Sequence, residues 1–314
     1  MNKMIVQAPG MFTTVQDLGR EGFGPLGVSA SGAADRVALR IGNRLVGNSE
    51  TAAGLEMTLV GGTFQFLGGA VIALTGSDFG AKLDGTAIAL WTSIEVRQGQ
   101  TLQLGATMDG ARCYLCVQGG FQVPPFLGSA STHVLSGLGG WEGRALRKGD
   151  ALPIGDAGGR FRKRQVAREA LDRLRSAKVL RVTDGPQSDW FTEEARGQFF
   201  DTAYSVAEES NRVGIRLRGS VPVARLSSEE MITEGVPLGA VQVPPSGQPI
   251  IVFVEQQTTG GYPKIANVIA ADIHSVGQLR PRDEIRFERV SMERARALLQ
   301  EQEELLLSPG LIGE

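Results

Sequence analysis

Val96-Arg-Gln-Gly-Gln-Thr-Leu-Gln-Leu-Gly105 reads as a tight turn followed by a strand, with a glycine inside the turn and apolar residues at alternate positions after it. The pattern returns as Leu146-Arg-Lys-Gly-Asp-Ala-Leu-Pro-Ile-Gly155 and, more loosely, as Leu279-Arg-Pro-Arg-Asp-Glu-Ile-Arg-Phe-Glu288. The third copy is too distant for an array of equal repeats, so the motif is a barrel-type turn used more than once. Val71-Ile-Ala-Leu-Thr75, Ile94-Glu-Val-Arg97, Thr101-Leu-Gln-Leu104 and Ile250-Ile-Val-Phe-Val254 are further β-rich runs bounded by Gly, Pro or Asp. With 42 glycines in 314 residues and only 6% aromatics, the chain has the texture of short strands joined by tight turns. That texture predicts a mainly β protein of sandwich or barrel type.

Helices are few. The spacing predicts one over Asp35–Val46, with Val37, Leu39, Ile41 and Leu45 apolar, and a second over Val166–Ala177. A third covers Ser291–Leu307, with Ser291 as N-cap. The second follows Gly158-Gly-Arg-Phe-Arg-Lys-Arg164, a glycine-rich and then basic stretch that marks the best boundary in the chain. The expected organisation is a β-rich lobe over residues 1–160, a helical linker over 161–178, a β-rich lobe over 179–290, and a helix and tail over 291–314.

A net charge of −2 offers no basic face for a polyphosphate backbone, so a dedicated nucleic-acid binder is not expected. No apolar run approaches the ~20 residues of a membrane-spanning helix, and the first ten residues lack the apolar core of a signal peptide. A cytoplasmic location with no membrane association is the expectation. Cys113 and Cys116 form a C-x-x-C, but Ala111-Arg-Cys-Tyr-Leu-Cys-Val117 reads as a strand, where residues three apart face opposite sides. Both are therefore read as structural thiols, and no metal ligand set is assigned.

There is no P-loop, no complete G-x-G-x-x-G, no G-x-S-x-G elbow, no H-E-x-x-H and no biotin-acceptor segment. Six polar, glycine-rich segments stand out instead: residues 9–20, 29–35, 118–132, 210–219, 233–247 and 255–264. Adjacent glycines permit close backbone approach to a ligand, and flanking Thr and Gln supply neutral donors and acceptors. Such segments also serve as barrel corners with satisfied side chains, and the spacing alone leaves both readings open.

Taken together and in this order, the segments resemble the family described as biotin-dependent carboxyltransferase, or allophanate hydrolase subunit 2. The motifs that carry the resemblance are T-T-V-Q-D-L-G-R at 13–20, G-N-x-L-V-G-N at 42–48, Q-V-P-P at 242–245 and Q-T-T-G-G-Y-P at 257–263, and it runs from about Val6 to Phe287. The family includes the C subunit of bacterial 5-oxoprolinase, an antagonist of a sporulation-kinase inhibitor, and part of the carboxyltransferase region of urea carboxylase. The resemblance implies cyclophilin-like β-barrel architecture in two lobes. It also implies a complex with 5-oxoprolinase subunits A and B, the latter a small cyclophilin-like partner, in which ATP with Mg drives opening of 5-oxo-L-proline to L-glutamate. No biotin of its own is expected.

Within that frame Lys264, Thr258 and Gln257 are the expected catalytic group. Arg112, Arg212, Ser131, Gln242, Thr259, Gly260, Gly261 and Tyr262 are the expected substrate-binding set, with the two arginines as fixed cations for a carboxylate or phosphate. The alternatives are a carboxyltransferase component that accepts carboxybiotin for a urea- or amide-like substrate, and a non-catalytic antagonist of a kinase-inhibitor partner. The chain departs from the family pattern at Glu255-Gln256, where an Asp often stands, at Val213 in place of Met, and at Pro281-Arg-Asp283 in place of P-G-D.

Overall fold

The computed structural model describes residues 2–156, 161–227 and 231–313. Its contacts divide the chain into two compact units. The first comprises Met1–Arg20, Ser31–Leu174 and Leu305–Glu314; the second comprises Glu21–Ala30 and Arg175–Glu304. The start of the glycine-rich junction, residues 158–160, lies outside the described residues.

Among the described residues, the first unit is built on a six-stranded and a five-stranded antiparallel sheet. The strand Arg112–Val117 runs inside the second of these, paired on one side with Gly54–Thr58 and on the other with Ala70–Gly76. It is buried at every residue, as a near-continuous apolar run predicts. Cys113, Leu115 and Val117 join Met4, Phe64, Phe66 and Leu152 of the six-stranded sheet in a common core. Tyr114 and Cys116 point the other way, into a cluster with Ile41 and Leu45 of the helix Arg36–Leu45. The thiols thus lie on opposite faces, as the strand reading requires. Burial pushes both far above the ordinary thiol range, and they are inert by that measure.

Asp35 caps the helix by accepting the Ala38 N–H at 2.9 Å, and the helix lies on the sheet through Gly42. A Cβ at Gly42 would stand 2.7 Å from Cys116 Sγ and 2.9 Å from Thr75 Oγ1. Asn48 ties the helix exit to the end of the buried strand by donating to the Val117 carbonyl at 2.8 Å. The G-N-x-L-V-G-N motif is therefore a helix-to-sheet joint. The helix read over Val166–Ala177 is shorter, Arg168–Arg173, because β-branched Val166 is drawn into a ladder with Ile312. The C-terminal helix Met292–Leu307 matches its reading, and Ser291 Oγ accepts from the Arg294 N–H at 3.2 Å.

The second unit contains a closed seven-stranded barrel, ordered Val179–Asp184, Lys264–Val268, Ala240–Gln242, Ile250–Val252, Gly214–Arg218, Tyr204–Val206, Glu284–Arg289. The first and last of these close the barrel as a parallel pair. Stacked Phe199 and Phe287, with centroids 4.6 Å apart, and buried Tyr204 pack beside that closure. The mainly β expectation, with few helices, holds.

The three turn copies prove to be one device. In each, a side chain accepts the N–H three residues back: Gln100 from Arg97 at 2.8 Å, Asp150 from Arg147 at 2.7 Å, Asp283 from Arg280 at 2.7 Å. The residue before it takes a positive φ: Gly99 at 85°, Gly149 at 93°, Arg282 at 71°. Each turn then exchanges two backbone hydrogen bonds with a neighbouring strand residue, Phe66, Val6 and Val206 respectively. The first two copies serve the first unit and the third serves the barrel.

Two expectations follow. Gly42→Ala should destabilise by about 1–3 kcal/mol through overpacking, and Gly42→Ala/Cys116→Ala should recover part of it, read by denaturant unfolding. Arg282→Gly should stabilise by about 0.5–1 kcal/mol, because an L side chain in the left-handed region is strained. The Arg282–Glu208 pair it removes is solvent-exposed on both sides and contributes little. A lower melting temperature for Arg282→Gly would refute the strain assignment.

Candidate functional site

A buried lysine opens one strand of the barrel. Lys264 is paired in register with Gln242, beside a bulge between Val241 and Gln242. The two are 1% and 4% exposed. Lys264 Nζ meets Glu234 Oε1 at 2.6 Å, while Gln242 Nε2 has no hydrogen-bond partner among the described residues. Glu234–Gly235 forms a short ladder with Thr259–Gly260, which carries the Q-T-T-G-G-Y loop. Gln187 ties both sides together. Its Nε2 donates to Glu234 Oε1 at 2.9 Å, and its Oε1 accepts the Lys264 N–H at 3.2 Å. Contacts from Lys264 and Gln187 hold the Glu234 carboxyl below the usual carboxylate range.

Gly260 is where the loop closes on this group. A Cβ there would lie 2.9 Å from Gln242 Nε2, 2.9 Å from Gln257 Nε2 and 3.0 Å from Val236 Cγ2. The constraint is steric contact, not a left-handed backbone, since Gly260 is not among the positive-φ glycines. Two amide nitrogens thus approach one glycine, next to a buried ammonium. Thr258 contributes its carbonyl to the Val236 N–H at 3.1 Å, whereas Thr259 and Tyr262 are exposed. Lys264 is the first residue of its barrel strand and so stands at the edge of the loop.

Arg212 belongs to the same unit but is committed elsewhere. Its Nε donates to Glu255 Oε1 at 2.6 Å, with side chains only 6% and 4% exposed. The Glu255 N–H returns a bond to the Arg212 carbonyl at 2.8 Å. Glu255, which departs from the family pattern, is therefore the arginine's counter-charge.

Arg112 and Ser131 lie in the first unit, each within its own buried network. Arg112 Nε stands 3.4 Å from Glu56 Oε1. Glu56 Oε2 accepts from the Tyr114 hydroxyl at 2.7 Å and the Ala34 N–H at 2.8 Å. Burial foremost, and the Glu56 charge, push the Tyr114 hydroxyl well above its ordinary range. Ser131 Oγ accepts the Asp17 N–H at 3.0 Å and donates to Asp17 Oδ1. Ser129 Oγ and the Ala130 N–H complete that carboxylate, each at 2.6 Å. Arg20 donates to the Ser131 carbonyl. The T-T-V-Q-D-L-G-R motif is thereby stitched to residues 129–132.

Of the expected residues, Lys264, Gln242, Gln257 and Gly260 converge; Arg112, Arg212 and Ser131 serve buried networks instead. Sequence reading missed Glu234 and Gln187. Glu234 stands inside a segment already singled out, whereas Gln187, far away in the chain, carries no local signal. Among the described residues no cluster of His, Cys, Asp and Glu is placed to hold a metal ion, and no helix is long and apolar enough to cross a membrane.

The model of the carboxyltransferase domain, subdomain A and B, matches residues 26–289. The chain is 40% identical over 294 residues to the C subunit of 5-oxoprolinase from Escherichia coli, covering 94% of this chain and 93% of that protein. It is 34% identical to urea amidolyase of Saccharomyces cerevisiae, covering 95% of this chain but only 17% of that much longer protein. The crystal structure of Kluyveromyces lactis urea carboxylase superposes with a TM-score of 0.90 at 33% identity, over 97% of this chain and 29% of that one. The chain belongs to the carboxyltransferase-domain family.

Glu255→Ala should remove the Arg212 counter-charge and cost about 3–5 kcal/mol, as breaking a buried pair does, with a matching fall in melting temperature. Unchanged stability with new anion affinity would instead make Arg212 a ligand cation.

Proposed function

We propose that this carboxyltransferase-family chain is the C subunit of an ATP-hydrolysing 5-oxoprolinase, acting with the A and B subunits to convert 5-oxo-L-proline to L-glutamate. The observation that carries this reading is the likeness to the Escherichia coli protein over nearly the whole of both chains. The barrel group supports it chemically. A lactam is a poor electrophile; phosphorylation of its amide oxygen by ATP, with release of ADP, activates the ring carbon, water adds there, the ring C–N bond breaks with the nitrogen leaving as the amine, and a second water cleaves the resulting acyl phosphate to glutamate and phosphate. Such a path develops charge on oxygen, and preorganised donors stabilise it. Lys264 supplies a positive charge fixed in a barrel strand, where burial makes each electrostatic contact count for more. Gln242 and Gln257 offer amide donors to a carbonyl or carboxylate oxygen, and Gly260 lets both come close.

On this reading ATP and Mg are bound by the assembled complex of the three subunits. A cytoplasmic location accords with a small-molecule substrate. A second reading is favoured by the urea carboxylase likeness: transfer of a carboxyl group from carboxybiotin, carried by another protein, to a urea- or amide-like substrate at the same donors.

Reconstitution with the A and B subunits separates the two. Glutamate release from 5-oxo-L-proline with ATP and Mg should require all three proteins. Lys264→Met, which keeps the side chain's bulk, should lower turnover by about 10²–10³, as loss of one good donor to developing charge does. Glutamate production without this chain would sink the proposal, and carboxylation of urea by this chain with carboxybiotin would establish the second reading.

A further inference from the structure

Two buried ion pairs elsewhere among the described residues are sealed on both sides, whereas in Arg181–Asp272 it is the carboxylate that is buried, at 3%, and the cation that is open, at 32%. The side chains of Arg212 and Glu255 are 6% and 4% exposed, and those of Arg112 and Glu56 are 6% and 0%. Lys264–Glu234 is different: the ammonium is 1% exposed and its carboxylate 45%. The cation is fixed in a barrel strand, whereas the anion rides on the two-residue strand Glu234–Gly235. Donors are also in surplus. Among the described residues Gln242 Nε2 is buried with no acceptor, Gln257 Nε2 approaches the same glycine, and Lys264 Nζ has its ion pair but no well-formed hydrogen bond. Within that set the group is short of oxygen acceptors, and an unsatisfied buried donor is costly.

We propose that Glu234 is an exchangeable counter-ion. An anionic group on the ligand, a carboxylate or a phosphoryl group, replaces the Glu234 carboxylate at Lys264, and a neutral ligand leaves the pair closed. Glu234 then keeps its bond from Gln187 and gains water, so its displacement costs little. The incoming anion brings additional lone pairs, which reach Gln242 where one glutamate oxygen on Lys264 does not. Charge on the ligand becomes the entry requirement of the site, with Glu234 as competitor for every anion that enters. The inference rests on the barrel group being the ligand site, and it names the ligand's charge as what that site selects.

The test is calorimetric titration of the full chain with 5-oxo-L-proline, with inorganic phosphate, and with 2-pyrrolidinone, the same lactam without a carboxylate. Glu234→Gln should bind an anion about five- to tenfold more tightly, the scale of losing one partly exposed ionic competitor. Glu234→Asp should fall between it and the parent chain, Lys264→Met should lose the anion, and 2-pyrrolidinone should show no change. Glu234→Gln leaves the Lys264 ammonium without its counter-charge and should lower the melting temperature, and saturating phosphate should restore part of that loss in Glu234→Gln but not in Lys264→Met. Tightening for phosphate but no binding of 5-oxo-L-proline would keep the exchange and remove the lactam reading. Tightening for 5-oxo-L-proline supports both. Equal or weaker anion binding by Glu234→Gln, or no anion binding by either protein, overturns the exchange.

Discussion

A lysine whose ammonium is folded into a barrel wall constrains everything around it. Lys264 cannot take a hydration shell with it, so the protein must furnish charge and oxygen from nearby backbone and side chains. The response is local and economical: a carboxylate from one short strand, an amide that braces it, and a glycine that lets the loop come close. The neighbouring Arg212 solves the same problem by another route, with a fully enclosed glutamate and reciprocal backbone bonds. Two buried cations in one barrel thus have opposite characters, one sealed and one facing a partner that water already touches.

The first unit shows how far polar burial goes within side-chain and backbone networks. Asp17 receives two serine hydroxyls and backbone N–H groups, and Glu56 receives a tyrosine hydroxyl and a backbone N–H. Each carboxylate organises segments distant in sequence: Asp17 joins the T-T-V-Q-D-L-G-R motif to residues 129–132, and Glu56 joins a central strand pair to the entry of the helix Arg36–Leu45. In this chain the T-T-V-Q-D-L-G-R motif holds backbone, with residue types that a binding site also uses.

The fold was legible wherever the physics is local. Alternation placed Cys113 and Cys116 on opposite faces, helical spacing located Arg36–Leu45 and Met292–Leu307, and the recurring turn announced its own hydrogen bonds. Val166 escaped because its strand partner, Ile312, lies far along the chain. Part of the grouping was legible. Glycine pairs and flanking amides pointed to Gln257, Gly260 and Lys264, which the structure brings together, while Arg112 and Arg212, chosen for their fixed charge, lie apart from them against Glu56 and Glu255. Only burial and partners distinguish an arginine that neutralises a core carboxylate from one that awaits a ligand. Gln187 and Glu234 act through geometry that no spacing rule encodes.

The path of the chain through the two units has a consequence for synthesis on the ribosome. The strand Gln165–Val166 pairs with Ile312–Gly313, and Leu306 and Leu311 fill the cluster under the helix Arg36–Leu45. Those last residues are translated only after the entire barrel, so the first unit, although begun first, is finished last. Until then the apolar face of that helix and the outer side of its sheet lack part of their cover. The early unit thus depends on residues that lie beyond the barrel in the chain, so its last cover cannot form before the barrel's strands have been made.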